Sequence, residues 1–168
     1  MDINQVKQIM LKSDFNLLER ALDDYDINEF DKFGNNVLHF YIKERKRINL
    51  DCKSVIDLFL NKGLYINGKK DNKYVFGSPL QLAVSMKQKD VFDYLIELGA
   101  NVNATDSNGN SILSTAVMWY RDTEMDEYFI KRLLECGANI DQTNHYGISP
   151  KSLAESIANY NVKKYFQK

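Results

Sequence analysis

Two prolines and eight glycines in 168 residues leave no Gly-, Ser- or Pro-rich stretch that could act as a flexible linker. A string of separately tethered domains is therefore excluded. Two cysteines, Cys52 and Cys136, are too few for a disulfide framework and read as reduced thiols of a cytoplasmic protein. The two histidines, His39 and His145, sit in no metal-ligand pattern, so neither a metal nor any other cofactor is expected. No apolar run reaches transmembrane length. The opening Met1-Asp2-Ile3-Asn4-Gln5 shows no basic region leading into an apolar one, so no secretory signal is expected. Charge of one sign is also missing: 22 Lys and Arg against 23 Asp and Glu give a net −1. That balance points to neither nucleic acid nor an anionic membrane as the general partner. Glycine-rich phosphate loops, nucleophile elbows and zinc patterns are absent as well.

What the chain does have is repetition. Gly99-Ala100-Asn101-Val102-Asn103 returns as Gly137-Ala138-Asn139-Ile140-Asp141, with looser echoes at Gly63-Leu64-Tyr65-Ile66-Asn67 and Asp26-Ile27-Asn28. A second phrase keeps step with it: Gly34-Asn35-Asn36-Val37-Leu38-His39, Gly77-Ser78-Pro79-Leu80-Gln81-Leu82-Ala83, Gly109-Asn110-Ser111-Ile112-Leu113 and Gly147-Ile148-Ser149-Pro150-Lys151. Leu80 to Leu113 is 33 residues, Leu113 to Lys151 is 38 and Leu38 to Leu80 is 42, so insertions lengthen two of the units. A recurring helix-ending phrase at wide intervals means one supersecondary unit stacked on copies of itself.

Each phrase has a physical role. Ser78-Pro79 and Ser149-Pro150 pair an N-cap with proline at the first helical position. Leu80, Leu82, Ala83 and Val84 then predict a short inner helix whose small residues allow close stacking. Val91, Phe92, Leu95 and Ile96 fall on one face of a second, outer helix, and Gly99 supplies the left-handed residue that stops it. Val55, Ile56, Phe59 and Leu60 repeat that stripe, as do Phe129, Ile130, Leu133 and Leu134. At the ends, Val6, Ile9 and Met10 with Leu17, Leu18, Ala21 and Leu22 predict a divergent first pair. Leu153, Ala154 and Ile157 with Val162, Tyr165 and Phe166 predict a last one.

These two phrases resemble those of the ankyrin repeat, which opens on Gly-x-Thr-Pro-Leu-His-x-Ala and closes on Gly-Ala-Asp-Val-Asn. The resemblance implies an all-α solenoid of about five helix-turn-helix units joined by extended fingers. The units fall near 1–30, 31–68, 69–104, 105–142 and 143–168 in one domain, the first and last acting as caps. It also implies a module that binds a protein partner through its concave face. The residues free to meet a partner lie in the finger before each inner helix and at that helix's end. Counted onto this chain, Phe33, Tyr74, Met86, Met118, Trp119 and Tyr146 gather on one strip, flanked by Lys43, Tyr120 and His145. Aromatic residues and methionine are enriched at the desolvated centres of interfaces. Trp119 is the sole tryptophan, at a place where the fold has no need of one.

Two charged insertions accompany the strip. One is basic, Lys43 with Arg45, Lys46 and Arg47, and the lengthened finger with Lys69, Lys70 and Lys73 adds to it. The other is acidic, Asp122, Glu124, Asp126 and Glu127. His39 is expected to be structural, an imidazole bonding backbone in the neighbouring finger. Within the binding-module class, the sharper expectation is a bacterial immunity protein that buries the active site of a cognate toxin. A host-directed effector or scaffold is the alternative. A second class, a catalytic or ligand-binding protein built on the acidic insertion, has paired carboxylates in its favour, but such residues in a helix-joining loop are usually a solvated face or a helix start, so no enzyme and no catalytic residue are expected.

Overall fold

In the computed structural model the described residues are 1–68, 77–156 and 161–167. Tyr74, with Lys69, Lys70, Lys73 and Val75, lies outside them, as does Ile157. Among the described residues there are nine α-helices, one 3-10 turn and a lone β-bridge between Thr105 and Ser111. The helices alternate between two rows. The inner row is α1 (Ile3–Leu11), α3 (Val37–Glu44), α5 (Pro79–Ser85), α7 (Ile112–Met118) and α9 (Pro150–Ser156), each packed on the next. The outer row is α2 (Phe15–Ala21), α4 (Cys52–Asn61), α6 (Lys89–Glu97) and α8 (Glu124–Glu135), completed by the 3-10 turn Asn161–Tyr165. This is an all-α repeat solenoid with one core running along the stack.

The inner helices can be short because neighbours cover them on several sides. Six consecutive residues of α7, Ile112 to Val117, are buried, as are Pro79 to Val84 of α5. Helices this short are marginal alone, so their ends are fixed by side chains. Asp2, Asn36, Ser78 and Ser111 each accept a backbone N–H in the first turn, a contribution of about 1 kcal/mol per cap. The outer helices bury one stripe each: Val55, Ile56 and Phe59; Val91, Phe92 and Leu95; Phe129, Ile130 and Leu133. They end alike. At Gly99, with φ of 80°, the glycine amide donates to the Ile96 carbonyl and Ala100 to that of Leu95. Gly137 and Ala138 do the same to Leu134 and Leu133.

Consecutive units are tied together by three repeated devices. Asn28 Oδ1 accepts from the Tyr65 amide, Asn67 Oδ1 from Asn101 and Asn103 Oδ1 from Asn139, each at 2.8–2.9 Å. The closing phrase is therefore a clamp on the following unit. In the second device, His39 Nε2 meets the Gly77 carbonyl at 3.0 Å, and Gln81 Nε2 donates to the equivalent Asn110 carbonyl at 3.0 Å. Burial pushes the His39 pKa down to about 4, so the imidazole is neutral and donates from Nε2. The third device is on the outer surface. Tyr94 donates to Asp57 while Lys53 lies 4.8 Å from its ring centroid. Tyr128 donates to Asp93 with Lys89 4.2 Å from its ring. Each pair of opposite charges, four residues apart on one outer helix, grips a tyrosine of the next.

Two sequence expectations need correcting here. The last outer element is not an α-helix: Val162, Tyr165 and Phe166 are brought inward by the five-residue 3-10 turn. Tyr120 is not on the surface at all. Its ring is fully buried, its hydroxyl donates to Asp122 at 2.8 Å, and it meets Tyr165 edge-on at 6.4 Å. The α7 helix is capped at Trp119, and the next side chain, Tyr120, packs inside against Tyr165 of the 3-10 turn.

Candidate protein-binding face

The fingers are built from one local rule. Asp31 Oδ1 accepts the amides of Phe33 and Asn35, and Asp106 Oδ1 accepts those of Asn108 and Asn110. Asn144 Oδ1 accepts those of Tyr146 and Ile148. A short polar side chain bonding two and four residues ahead makes a tight, preset turn. In each turn the residue two after the acceptor stands at the tip, which puts Phe33, Asn108 and Tyr146 in equivalent places. Phe33 and Tyr146 are exposed there, Tyr146 to 74%. His145 is exposed beside it, and its amide donates to the Asn108 carbonyl at 3.0 Å, joining one finger to the next. A Cβ on Gly109 would come within 2.9 Å of the His145 ring, so only glycine permits that approach.

Helix ends supply the rest of the face. Met86 and Trp119 occupy the same C-cap position on the adjacent helices α5 and α7. Their amides are bonded to Leu82 and Thr115 carbonyls, which leaves the side chains to project. Trp119 is 52% exposed, and Met86 and Met118 are exposed with it. Lys43 is partly buried and donates to Asn35 Oδ1 at 3.2 Å at the base of the first finger. Burial lowers its pKa. Beside it, Lys7 and Asp31 form an ion pair at 2.6 Å that anchors the same finger to α1. The structure thus places Phe33, Met86, Met118, Trp119, His145 and Tyr146 on the surface, Lys43 partly beneath it and Tyr120 inside.

The acidic insertion has another role. Thr123 caps α8, and Glu124, Asp126 and Glu127 fill its first turn, where carboxylates favour the helix dipole. Asp126 is buried, pairs with Lys87 at 2.7 Å and accepts the Arg121 amide at 2.9 Å. Burial alone would raise its pKa, but these bonds together lower it. Asp122 is held by Tyr120, as described above. These carboxylates start a helix and lock a loop. Among the described residues, no group of three His, Cys, Asp or Glu could hold a metal ion, and no helix is long and apolar enough to cross a membrane.

Sequence reasoning missed the outer-surface tyrosine grips. A signal was present: opposite charges four apart in one unit, with a tyrosine some 35–37 residues beyond the carboxylate.

Known proteins repeat the pattern. The profile described as "Ankyrin repeats (3 copies)" matches residues 7–106 and 47–144. The chain is 34% identical over 124 residues to the nuclear factor NF-kappa-B p105 subunit of Gallus gallus, covering 71% of the chain and 12% of that protein. To the intracellular phospholipase A2 of Caenorhabditis elegans it is 29% identical over 136 residues, covering 79% and 12%. To an ankyrin repeat protein of fowlpox virus it is 27% identical over 141 residues, covering 82% and 38%. The chain thus spans between about an eighth and two fifths of the length of these relatives. The profile match runs from residue 7 to residue 144, most of the chain, and on that ground the chain belongs to the ankyrin repeat family.

Proposed function

We propose that the chain works as a binding module that takes one protein partner on the face formed by the fingers and the inner-helix ends. The observation that carries this is Trp119, the sole tryptophan, half-exposed at a helix cap, with Met118 exposed beside it in the chain and Met86 exposed at the equivalent cap of α5. Leaving such side chains in water gains the fold nothing, and a rim-lined apolar patch of this kind favours association. The tight turns and inter-finger bonds support the same reading, because a preset surface loses little entropy on binding. Inhibition of a toxin or effector by covering its active face is the finer form of the proposal; scaffolding is the broader one.

The test is capture from the native source with wild-type protein, Trp119→Ala, and Lys53→Ala on the outer row as control. The proposal expects a partner retained by wild type and by the Lys53 variant and lost with Trp119→Ala, whose melting temperature stays within a few degrees, roughly 1 kcal/mol, of wild type. Equal loss of partner and of stability in Trp119→Ala would return the indole to a packing role. If the partner is a toxin, adding the module must also abolish its activity; a scaffold would leave that activity intact.

A further inference from the structure

The face described above is sorted by charge as well as by polarity, and this bears on what the partner must look like. The fingers and inner row (residues 2–11, 29–47, 77–87, 104–122 and 143–156) carry nine lysines and arginines against seven carboxylates. The outer row (13–24, 51–62, 88–97, 123–135 and 161–167) reverses this, with eight against thirteen. A chain of net charge −1 thus presents a basic front and an acidic back. Most of the front's carboxylates are also occupied within the chain. Asp31 accepts from Lys7, Glu44 from Arg47 at 2.9 Å, Asp106 from its finger amides and Asp122 from Tyr120. Lys87 draws its counter-charge from the outer row, through Asp126.

The two halves of the front differ. Its first part, in the finger before α3 and the turn after it, holds exposed Phe33 with Lys32, Lys43 and the basic run Arg45, Lys46 and Arg47, of which Arg45 pairs with Asp90 of the outer row and Arg47 with Glu44. Its later part holds the exposed apolar side chains Met86, Met118, Trp119 and Tyr146. Resting on the binding-module reading, we infer that the partner offers an acidic protein segment carrying a large apolar anchor. The anchor seats at Trp119 and the methionines, and the carboxylates lie toward Lys32 and Lys46. Charge complementarity then sets approach and orientation, while the anchor sets residence.

The test uses a displayed library of random peptides selected on the intact chain, with recovered peptides titrated by fluorescence anisotropy. A mixed-sequence single-stranded DNA serves as a second probe. Recovered peptides are expected to combine Asp or Glu with Trp, Phe or Leu. Trp119→Ala weakens them about tenfold or more. The double variant Lys32→Glu/Lys46→Glu, both exposed sites, weakens them about fivefold at low salt, a difference that shrinks near 0.5 M NaCl. Neutral or basic peptides that still need Trp119 would overturn the acidic assignment and leave the binding face standing. Peptides indifferent to both variants, or no peptides at all, would remove both. Binding of the DNA that is lost with the lysine variant, without peptide binding, would overturn a protein segment as the occupant.

Discussion

The outer surface and the finger face of this stack both carry aromatic side chains, but they treat them in opposite ways. On the outer row, Tyr94 and Tyr128 are each held by a carboxylate and a lysine from the preceding helix. Beneath them, Phe92 meets Phe129 edge-on with centroids 4.9 Å apart. On the finger face, Trp119 and Tyr146 stand in solvent, and the backbone beneath them is bonded internally. The outer aromatic groups join one repeat to the next. The inner ones keep half or more of their surface in solvent. The lesson is that in a repeat protein the aromatic residue without an inter-repeat contact is the one to suspect of an outside function.

The comparison can be broken most forcefully at Phe92. Replacement by Ala in the outer row should cost about 3–5 kcal/mol, because a fully buried ring leaves a cavity. Calorimetry would show a fall in melting temperature on the order of 10 °C. A small effect would mean that the outer row is not the joint it is taken for.

Next in size is a pH effect inside the inner row. His39 is neutral when folded, with a pKa of about 4 against 6.5 when free, so unfolding takes up a proton between those values. Its contribution is complete above about pH 6.5 and is lost as pH falls toward 4, amounting to about 3 kcal/mol. Denaturant midpoints measured across that range should fall with acid. His39→Gln, which supplies the amide that Gln81 already uses at the same place, should flatten this part of the profile. An unchanged slope would contradict the burial of a neutral imidazole at this place.

Trp119→Ala is expected to weaken partner binding by about 2 kcal/mol, some thirtyfold, with little change in melting temperature. Tyr128→Phe is the mirror experiment and the smallest effect. Losing the bond to Asp93 should cost about 0.5–1 kcal/mol of stability and leave affinity untouched. If Tyr128→Phe reduced affinity instead, the division of labour between the two surfaces would fail.

Much of this organisation was legible in the sequence because it is periodic. The inner helix at Pro79–Ser85 and the outer one at Lys89–Glu97 follow from Ser78-Pro79, the stripe Val91, Phe92, Leu95, and the stop at Gly99. The exposure of Met86 and Trp119 was legible through the ankyrin resemblance, which counts both onto the partner-facing positions at the end of an inner helix. Tyr120 was not, because helical periodicity says nothing about the residue after the helix ends. Its burial depends on Tyr165, which is 45 residues away and arrives through a 3-10 turn where an α-helix was expected. The tyrosine grips escaped for a similar reason. Their charges look solvated within one unit and acquire partners only once the next is stacked upon it.

A single fluorophore allows the central claim to be tested directly. With one tryptophan in the chain, emission excited at the red edge of the absorption, where the ten tyrosines hardly absorb, reports on position 119 alone. The free protein should give the red emission of a solvated indole, open to acrylamide quenching. Saturation with a selected peptide that carries no tryptophan should shift it to the blue and shield it. Blue, shielded emission in the free protein, or a saturated complex whose indole stays as red and as quenchable as before, would contradict the account.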